Sequence, residues 1–303
     1  MTPTAATPVR IGLVGGGHWA RTVHAPALAA HPGTELAGVW TRRPEVAAEV
    51  AAPFGAPVAG SFAELIDSVD AVAFAVPPSV QAGLAIDAAA AGRHLICEKP
   101  LAADVAGARK VVDAVTAAGV VSSVVLTLRH DAGVQAWLAE FAPEPAPADT
   151  VGLARWLSGA LLGGPYATSG WRAEAGNGAV LDLGPHVIDL LESALGPVVD
   201  IEWAQYGEPD LWRFGLCHAG GARSTSTLSL RLPVDPSEIE IAAFGSGGTH
   251  VFRGRVADAK DCYATLLDEF LAAVHGTGPK PVADAARGLR LQEIVDGIRA
   301  LAR

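Results

Sequence analysis

The chain has 303 residues, half of them hydrophobic and 18% charged, a balance that supports a sizeable buried core and excludes a disordered polymer. Its formal charge is −10, from 22 basic against 32 acidic residues, and no lysine or arginine cluster offsets it, which excludes nucleic acid as a partner. No run approaches the roughly 20 apolar residues of a membrane span, and the opening MTPTAATPVR lacks a secretory pattern, so a cytoplasmic protein is expected, its first six or seven residues a lead-in.

In chain order, strands are expected at 9–14, 35–40, 71–76, 94–97 and 120–126, with helices near 18–30, 44–53, 79–91 and 104–117 between them. Such alternation implies a parallel sheet covered on both faces, a Rossmann-type α/β arrangement. After residue 126 the rhythm changes. A helix near 130–141 runs into the proline-rich FAPEPAPADT, and strand-like stretches follow at 151–158, 198–206, 211–218, 223–231 and 237–244, joined mostly by short turns. That pattern predicts a largely antiparallel open sheet. One helix interrupts it at about 184–195, and two more, 259–275 and 283–302, close the chain. The reading divides the protein at 1–125, a dinucleotide-binding domain, and 126–303, an α+β domain for substrate and self-association. Cys97, Cys217 and Cys262 stand far apart without metal-ligand spacing, as reduced thiols do, and no metal site is expected.

The first motif is IGLVGGGHWA, residues 11–20. Gly15, Gly17 and Ala20 fit the G-x-G-x-x-G/A pattern between a strand and a helix, with His18 and Trp19 opening that helix. The first glycine permits a tight turn, the second admits a pyrophosphate to the backbone, and the small third residue lets helix and strand pack closely. A bound phosphate then meets free N–H groups at the helix start. The second strand ends at Thr41, Arg42 and Arg43, without a carboxylate to bond a ribose 2′-hydroxyl. A hydroxyl followed by two guanidiniums suits a 2′-phosphate, so NADP is preferred to NAD, although two surface arginines before a proline-started helix would look the same.

The second motif is HLICEKPL, residues 94–101, which places Glu98, Lys99 and Pro100 at the carboxyl edge of the sheet. A lysine there can stabilise negative charge developing on a substrate oxygen, whereas an isolated Glu-Lys pair is equally a solvated surface couple. The third is DLGPHVIDL, residues 182–190. Asp182 and His186 are four apart, about one helical turn, so both can share a face. Imidazole titrates near neutrality and suits acid–base work, and Asp189 stands close enough to fix it. On spacing alone this is also a helix start with a core histidine. Trp171 and Arg172 lie on the preceding glycine-flanked loop, a natural place for substrate contacts.

Taken together, IGLVGGGHWA, HAPAL, ELAGVWTRR, VDAVAFAVPPSVQAGLAIDAAAAGRHLICEKPLA and GNGAVLDLGPHVIDLL resemble the glucose–fructose oxidoreductase/inositol dehydrogenase (Gfo/Idh/MocA) family across essentially the whole chain. The resemblance implies that Lys99, Asp182 and His186 form the catalytic set. It implies a sugar or polyol substrate exchanging hydride with NAD(P), and a homodimer or homotetramer. Val76 and Pro77, in the place of the family's Thr-Pro, are implied to lie near the nicotinamide with Glu98 and Lys99; Pro78 and Gln81 replace its usual asparagine and histidine. Arg129, in RHDAG rather than Arg-Phe-x-Pro, is implied to reach the substrate. A glycosidase of the same fold that oxidises its sugar transiently, a reductase of another carbonyl or imine, and a non-catalytic NADP sensor are the alternatives.

Overall fold

The computed structural model describes residues 7–141, 144–174 and 177–302, so the N-terminal lead-in lies almost wholly outside the described residues. The chain divides into two compact units. One ends at Thr127 and takes in Ala259–Leu289; the other comprises Leu128–Asp258 and the chain from Arg290 on.

The first unit is built on a parallel sheet of β1 (Val9–Val14), β2 (Thr34–Trp40), β3 (Ala71–Phe74), β4 (His94–Cys97) and β5 (Ser122–Val124). Their order is β2-β1-β3-β4-β5. Ile11, Leu13, Val72, Phe74, Leu95 and Ile96 are fully buried, as strands covered on both faces require. The connecting helices have recognisable ends. Ser61 Oγ accepts from Glu64 N (3.1 Å) ahead of Phe62–Asp67, and Asp104 Oδ1 accepts from Gly107 N (2.7 Å) ahead of Val105–Ala118. Because the strands are parallel, the chain leaves β1, β3 and β4 on one edge of the sheet, where their loops carry the glycine turn, Val76–Pro77 and the Glu98–Pro100 turn.

A second domain running unbroken from 126 to the end misses one return of the chain. Helix Ala259–Val274 buries Tyr263, Leu266, Leu267, Phe270 and Leu271 in the same core as Ile11, Leu28 and Ile96. Each large apolar side chain so placed contributes about 1.5–3 kcal/mol. That apolar stripe is why the segment belongs to the first unit. Helix Ala285–Leu301 begins in the first unit and ends in the second.

The second unit carries a six-stranded sheet of β6 (Val151–Leu157), β7 (Val198–Gly207), β8 (Leu211–His218), β9 (Arg223–Ser229), β10 (Glu238–Gly245) and β11 (Gly248–Arg253). Their order is β11-β10-β6-β9-β8-β7, antiparallel throughout except between β6 and β9. The α/β-plus-antiparallel class expected from the sequence is the class observed. Helix Gly184–Leu195 packs on one face, where Gly152 leaves room for Leu191 and Leu195. The opposite face shows Val151, Trp203, Phe244 and Val251 to solvent. Among the described residues no helix is long and apolar enough to cross a membrane.

Candidate active site

The glycine turn follows β1. Gly15 has φ +132°, and a Cβ there would stand 2.3 Å from the carbonyl oxygen of Ala75, so only glycine fits. A Cβ on Gly17 would meet nothing within 4 Å, which leaves that side of the backbone open to a ligand. These features fit a pyrophosphate cradle. Arg21 ties the turn down, donating from Nε to Gly16 O (3.0 Å) and from Nη2 to Glu49 (2.7 Å). His18 is exposed, Trp19 packs partly against the core, and Ala20–His24 forms one π-turn before the α-helix proper.

At the end of β2 the Thr41 hydroxyl donates to Arg43 O (2.6 Å) and accepts from Arg43 N (3.2 Å), shaping the turn into helix Pro44–Ala51. Arg42 and Arg43 are exposed, and their guanidiniums form no ion pair among the described residues. Val76 and Pro77 lead from β3 into helix Pro78–Ala90.

The Glu98–Lys99–Pro100 turn is held from beneath. Gln81, fully buried, donates through Nε2 to the carbonyls of Glu98 (2.7 Å) and Leu101 (3.0 Å) and accepts Glu98 N–H at Oε1 (2.8 Å). The residue standing at the family's histidine position thus clamps the backbone on both sides of Lys99. The Lys99–Pro100 peptide is cis. Glu98 Oε1 lies 2.8 Å from His24 Nε2, and His24 Nδ1 lies 3.0 Å from the Tyr263 hydroxyl. Sequence reading gave His24 no role and Tyr263 none, because they stand 239 positions apart.

In the second unit Asp182 ends helix Gly178–Asp182, and His186 lies in the first turn of helix Gly184–Leu195. The second helix opens at Gly184, where the sequence pattern starts it, with Pro185, which has no N–H to satisfy, in its first turn. Arg172 Nη2 donates to Asp182 Oδ1 (3.0 Å), and its guanidinium stacks 4.1 Å from the Trp171 ring and 5.0 Å from Tyr166. Trp171, Arg172 and Asp182 therefore come together, with the guanidinium oriented by an aromatic face and a carboxylate. His186 is buried, its ring 5.7 Å from that of Trp156. The start of the Asp182 helix is fixed by Asp210, whose carboxylate accepts from Ala179 N (3.1 Å) and Leu230 N (3.2 Å). Burial pushes the Asp210 carboxyl above its ordinary range.

Arg129 sits inside this unit. Its Nε and Nη2 donate to the two carboxylate oxygens of Asp189 (2.7 and 2.9 Å), and Nη2 also donates to Ser193 Oγ (2.5 Å). Asp189, foreseen as a support for the imidazole, holds Arg129 with both oxygens. Among the described residues no three His, Cys, Asp or Glu side chains converge in an arrangement that could hold a metal ion.

Residues 9–126 match the model of an oxidoreductase family with an NAD-binding Rossmann fold, GFO_IDH_MocA. The match is confined to that segment, the Rossmann part of the chain. Levoglucosan dehydrogenase of Pseudarthrobacter phenanthrenivorans is 32% identical over 62% of the chain and 51% of its own length. A dTDP-3,4-didehydro-2,6-dideoxy-α-D-glucose 3-reductase of Streptomyces violaceoruber is 29% identical over 65% of the chain and 57% of its own length. The matched part thus spans about half the length of these curated relatives. Among solved structures, GenD2 from gentamicin A biosynthesis, in complex with NAD, superposes with a TM-score of 0.85 at 21% identity over 99% of this chain and 96% of its own. A levoglucosan dehydrogenase with NADH and levoglucosan gives 0.84 at 22% identity, over 98% and 97%. At these identities the likeness is one of fold.

Proposed function

We propose that the protein is an NAD(P)-dependent dehydrogenase or reductase acting on a hydroxyl-bearing carbon of a sugar or related polyol. The observation that carries this reading is one sheet edge in the first unit. It presents a glycine turn closed by Gly15, open at Gly17, and, after β4, two strands along the sheet, the clamped turn bearing Lys99. The family match to a NAD-binding Rossmann fold and the relatives' names as sugar dehydrogenases and reductases support it.

Gly15, Gly17, His18 and Trp19 would hold the dinucleotide's pyrophosphate side, and Val76, Pro77, Glu98 and Lys99 its nicotinamide side. Bound nicotinamide accepts or supplies hydride. The chain's own part is orientation and proton management. In the oxidising direction His186 takes the hydroxyl proton, Lys99 stabilises the oxygen as negative charge develops, and Asp182, oriented by Arg172, fixes the substrate hydroxyl. Trp171, Arg172 and Arg129 are our substrate-side candidates. For the adenosine end we favour NADP, because the exposed Arg42 and Arg43 offer two guanidiniums where a 2′-phosphate would sit. The apolar row Val151, Trp203, Phe244 and Val251 on the open sheet face suits self-association as a dimer or tetramer.

The test is a thermal-shift titration with NAD and NADP, followed by a panel of levoglucosan, D-galactose, myo-inositol and nucleotide sugars read by nicotinamide absorbance. Lys99→Ala should abolish turnover while binding of cofactor persists. Arg42→Ala should weaken NADP at least tenfold more than NAD, about 1.4 kcal/mol of selectivity. Absence of any dinucleotide-induced shift would overturn the redox reading.

A further inference from the structure

The carboxylate beside Lys99 is held by a buried relay within the first unit. Tyr263 and His24 are both fully buried, with ring centroids 4.7 Å apart. The hydroxyl of Tyr263 meets His24 Nδ1 at 3.0 Å, and His24 Nε2 meets Glu98 Oε1 at 2.8 Å. The second oxygen, Oε2, accepts the backbone N–H of Lys99 at 3.3 Å. The polarity of this chain follows from its two ends. A carboxylate only accepts, so Nε2 is the donor, and in the Nε2–H tautomer Nδ1 accepts from the phenol. Burial first, then the charge of Glu98, pushes the Tyr263 hydroxyl well above its ordinary range, which keeps it an O–H donor.

This arrangement has a consequence for the adjacent residue. Glu98 and Lys99 are sequence neighbours, and an unrestrained carboxylate at that position would be drawn to the ammonium. An ammonium already matched by its neighbour offers less field to an oxygen that becomes negative during reaction. Gln81 independently holds the backbone of the turn, so the relay governs the Glu98 side chain rather than the path of the chain. We propose that His24 and Tyr263 are positioning residues that anchor the Glu98 carboxylate and prevent it from capturing the Lys99 ammonium. This rests on the reading of Lys99 as the group that meets substrate.

The test uses the full chain and needs no turnover, so its failure is separable from failure of the redox reading, which Lys99→Ala decides. Competitive labelling with acetic anhydride, read by mass spectrometry, measures Lys99 against the other lysines, Lys110, Lys260 and Lys280. Nitrogen-15 spectra of the histidine rings report the His24 tautomer. The expected result is a proton on Nε2 of His24 in the unmodified protein. Tyr263→Phe and His24→Leu should lower Lys99 labelling about threefold, the scale of a partly solvated ion pair. His24→Gln, which keeps an amide donor directed at Glu98, should stay near the unmodified value. In a Glu98→Gln background none of the three should have an effect, because no carboxylate remains to swing. Unchanged labelling in both Tyr263→Phe and His24→Leu would overturn the proposal. So would a fall that persists with Glu98→Gln, since that would mark a packing role alone, or a proton found on Nδ1.

Discussion

The Arg129–Asp189 pair offers a sharp test, because it separates a packing role for Arg129 from a substrate role. The side chains are only 10% and 1% exposed, and the guanidinium makes two charge-assisted bonds to the carboxylate. Asp189→Ala leaves a buried cation without its counter-charge, which costs about 3–5 kcal/mol. With a urea m-value of about 2 kcal/mol/M, the unfolding midpoint should fall by about 1.5–2.5 M. Arg129→Met combined with Asp189→Ala removes both charges and should recover much of the loss, giving a large coupling in the double-mutant cycle. The assay is urea unfolding followed by far-ultraviolet circular dichroism on all four proteins. A midpoint for Asp189→Ala within a few tenths of a molar of the unmodified chain would refute the reasoning. If that came with a raised KM on Arg129→Met, the arginine would belong to the substrate.

Gly15→Ala should destabilise the chain by about 1–3 kcal/mol from backbone strain and abolish the dinucleotide-induced thermal shift. Gly17→Ala, placed where nothing lies within 4 Å, should unfold at the normal temperature yet bind dinucleotide at least about tenfold more weakly; normal binding would contradict the cradle. Burial, reinforced by Glu98, pushes the Cys97 thiol up to about 12. In mildly alkaline iodoacetamide, Cys97 should therefore be alkylated only on unfolding, whereas the partly exposed Cys217 reacts in the native protein. The hydrogen bond to Glu140 raises the His250 imidazole above its ordinary value. A raised value means that the folded chain holds the proton more tightly. The associated stability is complete below the ordinary imidazole range and fades as pH rises through the raised value. Because Glu140 is half exposed the effect should be small, and Glu140→Gln should bring the proton-NMR midpoint of His250 down.

Most of the architecture was legible because its signals are local. The buried runs of β1 to β4 and the alternating segments of the second sheet declare their periods in a few residues. Some elements carried no such signal, and two show why. Helix Phe62–Asp67 is six residues long, and its one buried side chain, Leu65, fits where Gly12 and Gly38 leave space on the sheet. Strand β11 follows a glycine-rich turn and has one buried residue, Phe252, so it shows neither a helical stripe nor a strand alternation. The return of Ala259–Val274 to the first unit was hidden for another reason. An amphipathic helix states which face is apolar but not which core receives it.

The same distinction governs the candidate site. The place of Gly15 in a tight turn could be read because a positive φ allows few other residues, and the place of Lys99 at the sheet edge because its motif follows a strand. The groups that restrain Lys99 could not be read. Gln81 resembles any polar residue in an alanine-rich helix until its amide is seen to bond the backbone at Glu98 and Leu101. His24 and Tyr263 gain meaning only through Glu98, which lies 74 residues from the histidine. The residues proposed to act on a ligand therefore leave a trace in local pattern, whereas those proposed to position them are defined by contacts distant in sequence. Through the anchoring of Glu98, the invisible second group sets how much of the ammonium's charge the visible first group can offer. Substitutions at His24 or Tyr263 should then alter the reactivity of Lys99.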